Sequence, residues 1–89
     1  LTEAAGIVQG RRHDEHGDAE RSFEAISGLW NAYLSGRKTG GAITNVDVAQ
    51  MMVLLKMARS IQGAPVRDHF VDQAGYSALA GEMAHEESA

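Results

Sequence analysis

The amino-acid sequence predicts an all-α fold, a small bundle of about four helices in a single domain over residues 1–89. The chain contains one proline. Its apolar residues recur at steps of three and four, the spacing of a helix face, and few β-branched residues follow an alternating pattern. Short connections between the helical segments favour antiparallel neighbours, and hence a bundle.

Chain length and cysteine content predict that this bundle is completed by oligomerisation. A chain of 89 residues buries only about 60–65% of its unfolded surface. It contains no cysteine, so neither a disulfide nor a cysteine-ligated zinc can stabilise it. Association supplies further stability, and we expect a homo-oligomer.

Charge and hydropathy exclude some classes of partner. The net charge of −4 argues against a general nucleic-acid-binding protein, which needs a basic surface. The longest apolar run, Met51 to Leu55, is far too short to span a bilayer. Since we also find no signal peptide, we expect a cytoplasmic protein with no membrane partner.

The first two predicted helices are separated by a polar loop. The first helix runs from Thr2 to Gln9. Residues 10–18, GRRHDEHGD, show no periodicity and predict a loop. Asp18 then caps a second helix, Ala19 to Ser35. One apolar stripe follows this helix, formed by Phe23, Ile26, Leu29, Trp30, Tyr33 and Leu34.

The third predicted helix is apolar nearly all the way round. It follows a flexible connection over residues 36–43 and begins at a capping box, Thr44-x-x-Asp47. It continues to Ile61. A helix that is apolar on every side is normally buried, so Lys56 at its centre must either reach water or meet an anion.

The fourth predicted helix, Pro65 to His85, offers such anions. The polar tail 86–89 is expected to fray. One arc of the helix is apolar and comprises Val71, Ala74, Gly75, Ala78, Leu79 and Met83. Asp68 and Asp72 lie inside this arc or at its rim. A carboxylate placed there needs a partner, a metal ion or a proton.

Two interpretations of the acidic pair remain open. The i, i+4 spacing directs Asp68 and Asp72 the same way, and together they can hold one Mg²⁺ through hard oxygen ligands. Alternatively, Asp68 only favours the helix dipole, and Asp72 forms an internal ion pair with Lys56 or Arg59.

Other charged residues extend the candidate site. Lys56 and Arg59 are neighbours on one helix surface and can hold the phosphates of a nucleotide. Tyr76, one turn beyond Asp72, is assigned to the same binding surface. Glu20 and Glu24 can complete a carboxylate cluster for the metal ion, although glutamates in such positions are more often solvated surface residues.

The polar loop is the last candidate. Gly17 permits a tight turn in which backbone N–H groups meet an anion at the helix start, so His16 and Asp18 are candidate phosphate contacts. His13 and His16 also suggest a metal site, but their spacing matches no specific zinc pattern. Considered alone, the loop is best explained as charged and solvated.

Three segments carry a resemblance to a known family. They are HGDAERSFEAISGLWNAYLSG, ITNVDVAQMMVLLKMARS and RDHFVDQAGYSALAGEMA. They are similar to a small family of phage and prophage proteins that is known mainly as a domain of unknown function. The resemblance covers the chain from about Leu1 to Met83.

More remotely, the chain resembles the all-α nucleoside triphosphate pyrophosphohydrolases of the MazG and dimeric dUTPase group. This resemblance implies a MazG-like bundle that forms dimers or tetramers, binds Mg²⁺ through acidic residues on two helices and cleaves between the α- and β-phosphates. Asp68 and Asp72 match the second acidic pair of that group. Its first motif, Glu-x-x-Glu, is absent, and Asp47 and Gln50 stand at that spacing.

Two functional hypotheses result. In the first, the chain binds a nucleotide or is related to a Mg²⁺-dependent pyrophosphohydrolase, with Asp68 and Asp72 as catalytic carboxylates whose metal ion supplies the nucleophile. In the second, the chain is a non-catalytic helical interaction module of a phage or prophage. Lys56 and Asp72 are then a structural pair.

Overall fold

A computed structural model describes the backbone of residues 2–63 and 66–88, and the side chains of residues 19–63 and 66–87. Within these ranges the chain forms three helices and no strand: α1 (Thr2–Ser35), α2 (Asn45–Gln62) and α3 (Arg67–Ser88). The predicted all-α class is confirmed. No described helix is both long enough and apolar enough to cross a membrane.

The helix count differs from the prediction because α1 is continuous. The polar stretch over residues 10–18, for which we expected a loop, is helical, and α1 has 34 residues. Asp18 therefore lies within a helix and cannot be its cap. The stretch contains no proline, and an interior glycine costs a helix only about 1 kcal/mol. The polar composition of this stretch removes the amphipathic pattern but does not prevent the backbone hydrogen bonds of a helix.

The connection between α1 and α2 lies where the sequence predicts it, over residues 36–44. Gly41 has a positive φ of 106°, a conformation that only glycine adopts without strain. Arg37 donates hydrogen bonds from its guanidinium to the carbonyl oxygens of Gly41 and Ala42, at 3.2 and 3.4 Å. This side chain therefore holds the turn from within.

α2 begins at the predicted capping box. The Asp47 amide N–H donates to the Thr44 hydroxyl at 3.1 Å, and the Thr44 amide N–H donates to the Asp47 carboxylate at 2.9 Å. These two bonds satisfy donors that the first turn of a helix leaves free. The predicted helix end at Ile61 agrees with the observed end at Gln62 to within one residue.

α2 is the central helix. It packs against both α1 and α3, whereas α1 and α3 do not contact each other in the described part of the chain. This position explains why α2 is apolar on more than one side. The Trp30 indole N–H donates to the Met51 carbonyl oxygen at 2.7 Å. Near the other end of the pair, the Gln62 amide donates to the Arg21 carbonyl oxygen at 3.2 Å, which fixes α1 and α2 as antiparallel.

The apolar stripe of α1 faces α2 only in part. Ile26 is buried, and Trp30 and Tyr33 are half-buried beside α2. Phe23, at the start of the same stripe, remains 68% exposed.

α3 packs through a different side from the apolar arc. The residues of α3 that are buried or half-buried recur at helical spacing and are His69, Asp72, Gln73, Tyr76, Ala80, Met83 and Ala84. Of the predicted arc, Val71, Ala74, Gly75, Ala78 and Leu79 are exposed. α3 has small or apolar residues on both sides, so periodicity alone does not determine which side packs.

α3 also extends further than predicted. The tail over 86–89, which was expected to fray, is helical through Ser88, and Ala89 lies outside the described residues.

The buried core formed by the described residues is small. Its buried apolar residues are Ile26, Ala49, Met51, Ala58 and Ala80, and no large side chain in the described ranges is fully buried. The Cα radius of gyration is 17.3 Å, whereas a compact domain of this length has about 12 Å. The chain is thus an elongated arrangement of helices around α2.

Candidate functional site

The predicted contact between the third and fourth helices exists. The Lys56 ammonium Nζ lies 3.0 Å from Asp72 Oδ2, with the Lys56 side chain 20% exposed and the Asp72 side chain 44% exposed. Of the two cations offered as a partner for Asp72, the structure thus selects Lys56. Because Asp72 remains open to solvent, the pair is a partly screened ion pair at the edge of the α2–α3 interface.

The remaining predicted phosphate and metal residues do not converge on this pair. Asp68 is exposed in the first turn of α3. Tyr76 is half-buried on the side of α3 that faces α2, one turn beyond Asp72. Arg59 is exposed near the end of α2 and lines a separate groove.

The proposed four-carboxylate cluster is not assembled within one chain. Glu20 and Glu24 are exposed on α1, and α1 does not contact α3 where the structure describes them. Among the described residues, no three acidic or histidine side chains lie close enough to share a metal ion. The side chains of His13, His16 and Asp18 lie outside the described residues.

An open groove of about 730 Å³ is lined by residues of α1, of the end of α2 and of the start of α3. Arg59, His69 and the exposed Phe23 are among its lining residues. His69 Nδ1 is buried and has no hydrogen-bond partner among the described residues. The groove therefore combines a cation, an imidazole and an aromatic ring, which together suit an anionic ligand with a planar group.

A polar cluster at the other end of the α1–α2 interface was not predicted. Asp47, a buried residue, accepts a hydrogen bond from the Tyr33 hydroxyl at 2.7 Å and one from the Arg37 guanidinium at 3.0 Å. The Gln50 amide donates to the Tyr33 hydroxyl at 3.2 Å. One carboxylate thus joins α1, the connection and the first turn of α2.

The electrostatics of this cluster follow from its hydrogen bonds. The backbone N–H of Thr44 is the main cause that lowers the pKa of Asp47 to about 2, with further contributions from the Tyr33 hydroxyl and Arg37. Burial, followed by the hydrogen bond to Asp47, raises the pKa of Tyr33 above its usual value of 10.0. Asp47 therefore stays ionised and Tyr33 stays protonated as a hydrogen-bond donor. This arrangement suits a structural link between α1 and α2.

The capping-box spacing was the one sequence signal for this cluster. It identified Thr44 and Asp47 as a local pair, and the structure confirms that pair. The contacts to Tyr33 and Arg37 depend on how α1 docks against α2, which no local spacing encodes.

Comparison with known proteins places the chain in a group with phage relatives. The family model of a domain of unknown function, DUF6378, matches residues 1–84. The chain is 42% identical over 83 residues to the Gene 55 protein of Mycobacterium phage L5, covering 93% of this chain and 51% of the relative. It is 35% identical over 77 residues to the Gene 55 protein of Mycobacterium phage D29, covering 86% of this chain and 48% of the relative.

The chain therefore spans about half the length of the curated relatives that it matches. No solved structure matches it significantly. The MazG-like arrangement of the helices consequently stays a prediction.

Proposed function

The chain belongs to the DUF6378 family, and we propose that it is a non-catalytic helical interaction module that assembles with further copies of itself. We place its action in the cytoplasm of the bacterial host of a phage or prophage. The observation that carries this proposal is the amount of apolar side chain left outside the single-chain core. Large apolar residues are exposed on α1, α2 and α3, with Phe23, Ile61 and Phe70 as one example from each.

Burial supports an assembly role. Large apolar side chains exposed together on a small chain mark interaction surfaces, and the described part of the chain buries few residues that could stabilise it. Burying apolar surface contributes about 25 cal/mol per Å². A second chain packed on these surfaces would therefore bury apolar surface that the elongated single chain leaves exposed, and this burial would stabilise the fold.

The predicted metal and phosphate residues support an enzymatic function less well than the exposed apolar residues support assembly. Lys56, assigned to phosphate binding, already neutralises Asp72 at 3.0 Å. A Mg²⁺ ion at Asp68 and Asp72 would have to compete with that ammonium group, and two carboxylates are few ligands for a divalent cation. The two residues do not fit a metal centre as they stand.

Sedimentation equilibrium tests the assembly proposal. The chain has a mass of 9.5 kDa, and we expect a dimer or a tetramer at micromolar concentration that dissociates on dilution. A mass of one chain at every concentration up to the millimolar range would contradict the proposal.

Nucleotide binding is a second candidate, and the groove beside Arg59 favours it. Arg59 can donate to phosphate oxygens, and the neighbouring Phe23 ring is available for a base to stack on. Calorimetric titration with deoxynucleoside triphosphates, with and without Mg²⁺, tests it. Arg59→Ala should abolish the heat of binding, whereas Arg67→Ala, a matched change outside the groove, should not.

A pyrophosphohydrolase activity makes a separate prediction. Asp68→Asn and Asp72→Asn would then each abolish release of pyrophosphate from the nucleotide. Binding heat that persists without any turnover in the unaltered chain would leave nucleotide binding standing and remove hydrolysis.

A further inference from the structure

We propose that the side of α3 turned away from α2 pairs, antiparallel, with the same side of a second copy, about a twofold axis beside Gly75. This outer face comprises the exposed residues Val71, Ala74, Gly75, Ala78 and Leu79. The inference rests on the self-association proposed above and names the surface, the orientation and the register.

The outer face is built like a helix-packing surface that has no partner within its own chain. Val71 and Leu79 are each about half exposed, and no element of the described chain packs on them, since α3 contacts α2 alone. The same arc is the one that the sequence predicts to be buried. An apolar arc on a helix of this kind becomes buried when a second helix packs against it.

The sequence of the outer face is complementary to itself when reversed. Under an antiparallel twofold, each residue faces the residue equally far from the axis on the other side. Val71 and Leu79 are each four positions from Gly75, so each Val71 faces the partner subunit's Leu79.

The two glycines of α3 leave space for this partner. A Cβ atom built on Gly75 or Gly81 meets no atom within 4 Å. Neither glycine is therefore needed for packing inside one chain. Glycine in a helix interior lowers its stability, and close approach of a second helix is a physical reason to accept that cost.

Charge selects the antiparallel orientation over the parallel one. Arg67 lies near the amino end of α3 and Glu82 near its carboxyl end. An antiparallel pair brings each Arg67 toward the partner subunit's Glu82, and it also aligns the helix dipoles favourably. A parallel pair would place like charges together at both ends. Asp68, beside Arg67, offsets part of this attraction, so its size is to be measured by charge reversal.

Cysteine crosslinking tests the register, because the chain contains no cysteine of its own. Gly75→Cys should form an intermolecular disulfide under mild oxidation, since the two positions meet at the axis within the 4.4–6.8 Å Cα separation that a disulfide requires. Gly28→Cys on α1, where an added Cβ also meets no atom, is the matched control and should not crosslink. Neither change threatens folding, because each removes a glycine from a helix interior.

A mixing experiment separates antiparallel from parallel pairing. Val71→Cys and Leu79→Cys should crosslink with each other when mixed. Neither should crosslink alone, because its two copies would lie about 12 Å apart along the helix axis, beyond disulfide reach. Crosslinking of Val71→Cys alone would overturn the antiparallel register.

Charge reversal gives an independent measurement. Arg67→Glu or Glu82→Arg alone should raise the dimer dissociation constant by about 3- to 10-fold, and the double variant should restore it. An equally weak double variant would overturn the salt bridge and the register that predicts it.

These outcomes distinguish failure of the inference from failure of the proposed function. Dimers without a crosslink at position 75 would overturn this interface and leave self-association standing. Monomers at every concentration would contradict both.

Discussion

Asp47 illustrates how one residue can connect three parts of a small chain. Its carboxylate accepts hydrogen bonds from Tyr33 on α1, from Arg37 in the connection and from the backbone at Thr44. Each donor alone contributes modestly to stability. Together they fix the end of α1 relative to the start of α2, and this position therefore depends on the charge of a carboxylate.

The lowered pKa of Asp47 predicts an acid-dependent stability. Its pKa in the folded chain is about 2, below the ordinary value of 3.8, so the unfolded chain binds the proton first. The stabilisation is complete above about pH 4 and is lost as the pH falls from there toward 2. Urea unfolding followed by circular dichroism between pH 2 and 6 measures this dependence.

Asp47→Asn is the control for that measurement. The variant keeps the shape of the side chain but cannot ionise, so this part of the pH dependence should disappear while other carboxylates continue to titrate. Identical acid profiles for the variant and the unaltered chain would show that Asp47 is not a fixed anion.

The Tyr33 hydroxyl provides a second residue-scale prediction. It donates to Asp47 and accepts from Gln50, and Tyr33→Phe removes both bonds while keeping the ring. We expect a loss of about 1–1.5 kcal/mol in the free energy of unfolding. Tyr76→Phe is the matched control, because its hydroxyl makes no hydrogen bond within the described residues, and an equal loss in both variants would contradict the assignment.

At this scale the sequence predicts local pairs and misses tertiary ones. The capping box at Thr44 and Asp47 depends on a three-residue spacing, and it was predicted correctly. An ion pair of Asp72 with Lys56 or Arg59 was one of two interpretations that the sequence left open, because a cation in an apolar helix must either reach water or meet an anion. The contact of Tyr33 with Asp47 requires knowledge of how two helices dock, so no spacing could predict it.

At the scale of elements, the exposure of the Lys56–Asp72 ion pair determines how much this pair contributes to the stability of the α2–α3 contact. A fully buried pair would cost about 3–5 kcal/mol when one partner is removed. Asp72 is too exposed for that value. We expect Asp72→Asn to lower the free energy of unfolding by about 1 kcal/mol or less.

Lys56→Met tests the same contact from the buried side. The methionine keeps the apolar stem of the side chain, so the unfolding free energy should stay within about 1 kcal/mol of the original value. Urea unfolding of both single variants and the double variant gives the coupling energy of the pair. A coupling of 3 kcal/mol or more would show that the pair is buried in the assembled protein.

Element boundaries and element faces were not equally predictable. The bounds of α2 follow from its cap and from the break after it. The helix through residues 10–18 was missed because a charged stretch without proline is compatible with both a helix and a loop. The packing side of α3 was missed because Tyr76, Ala80 and Ala84 form a second low-polarity side away from most of the obvious apolar arc, so periodicity alone does not distinguish the two sides.

At the scale of the whole molecule, α2 packs against two neighbours, and these do not contact each other in the part of the chain that the structure describes. Such an arrangement gives each outer helix, over its described residues, one helical partner in the chain. It leaves the far sides of α1 and α3 available and accounts for the radius of gyration of 17.3 Å.

The assembly predicts that thermal stability depends on protein concentration. If folding is coupled to dimer formation, the melting temperature should rise by about 4 °C for each tenfold increase in concentration.

Val71→Glu places a charge at the centre of the proposed interface, where it would be desolvated without a partner, so the melting temperature of this variant should be lower and independent of concentration. Asn31→Glu adds the same charge at an exposed position of α1 and should keep the concentration dependence. Differential scanning calorimetry over a hundredfold concentration range distinguishes these cases. A constant melting temperature for the unaltered chain would mean that the chain folds without a second copy. A concentration dependence that persists in Val71→Glu would mean that the interface does not lie on the outer face of α3.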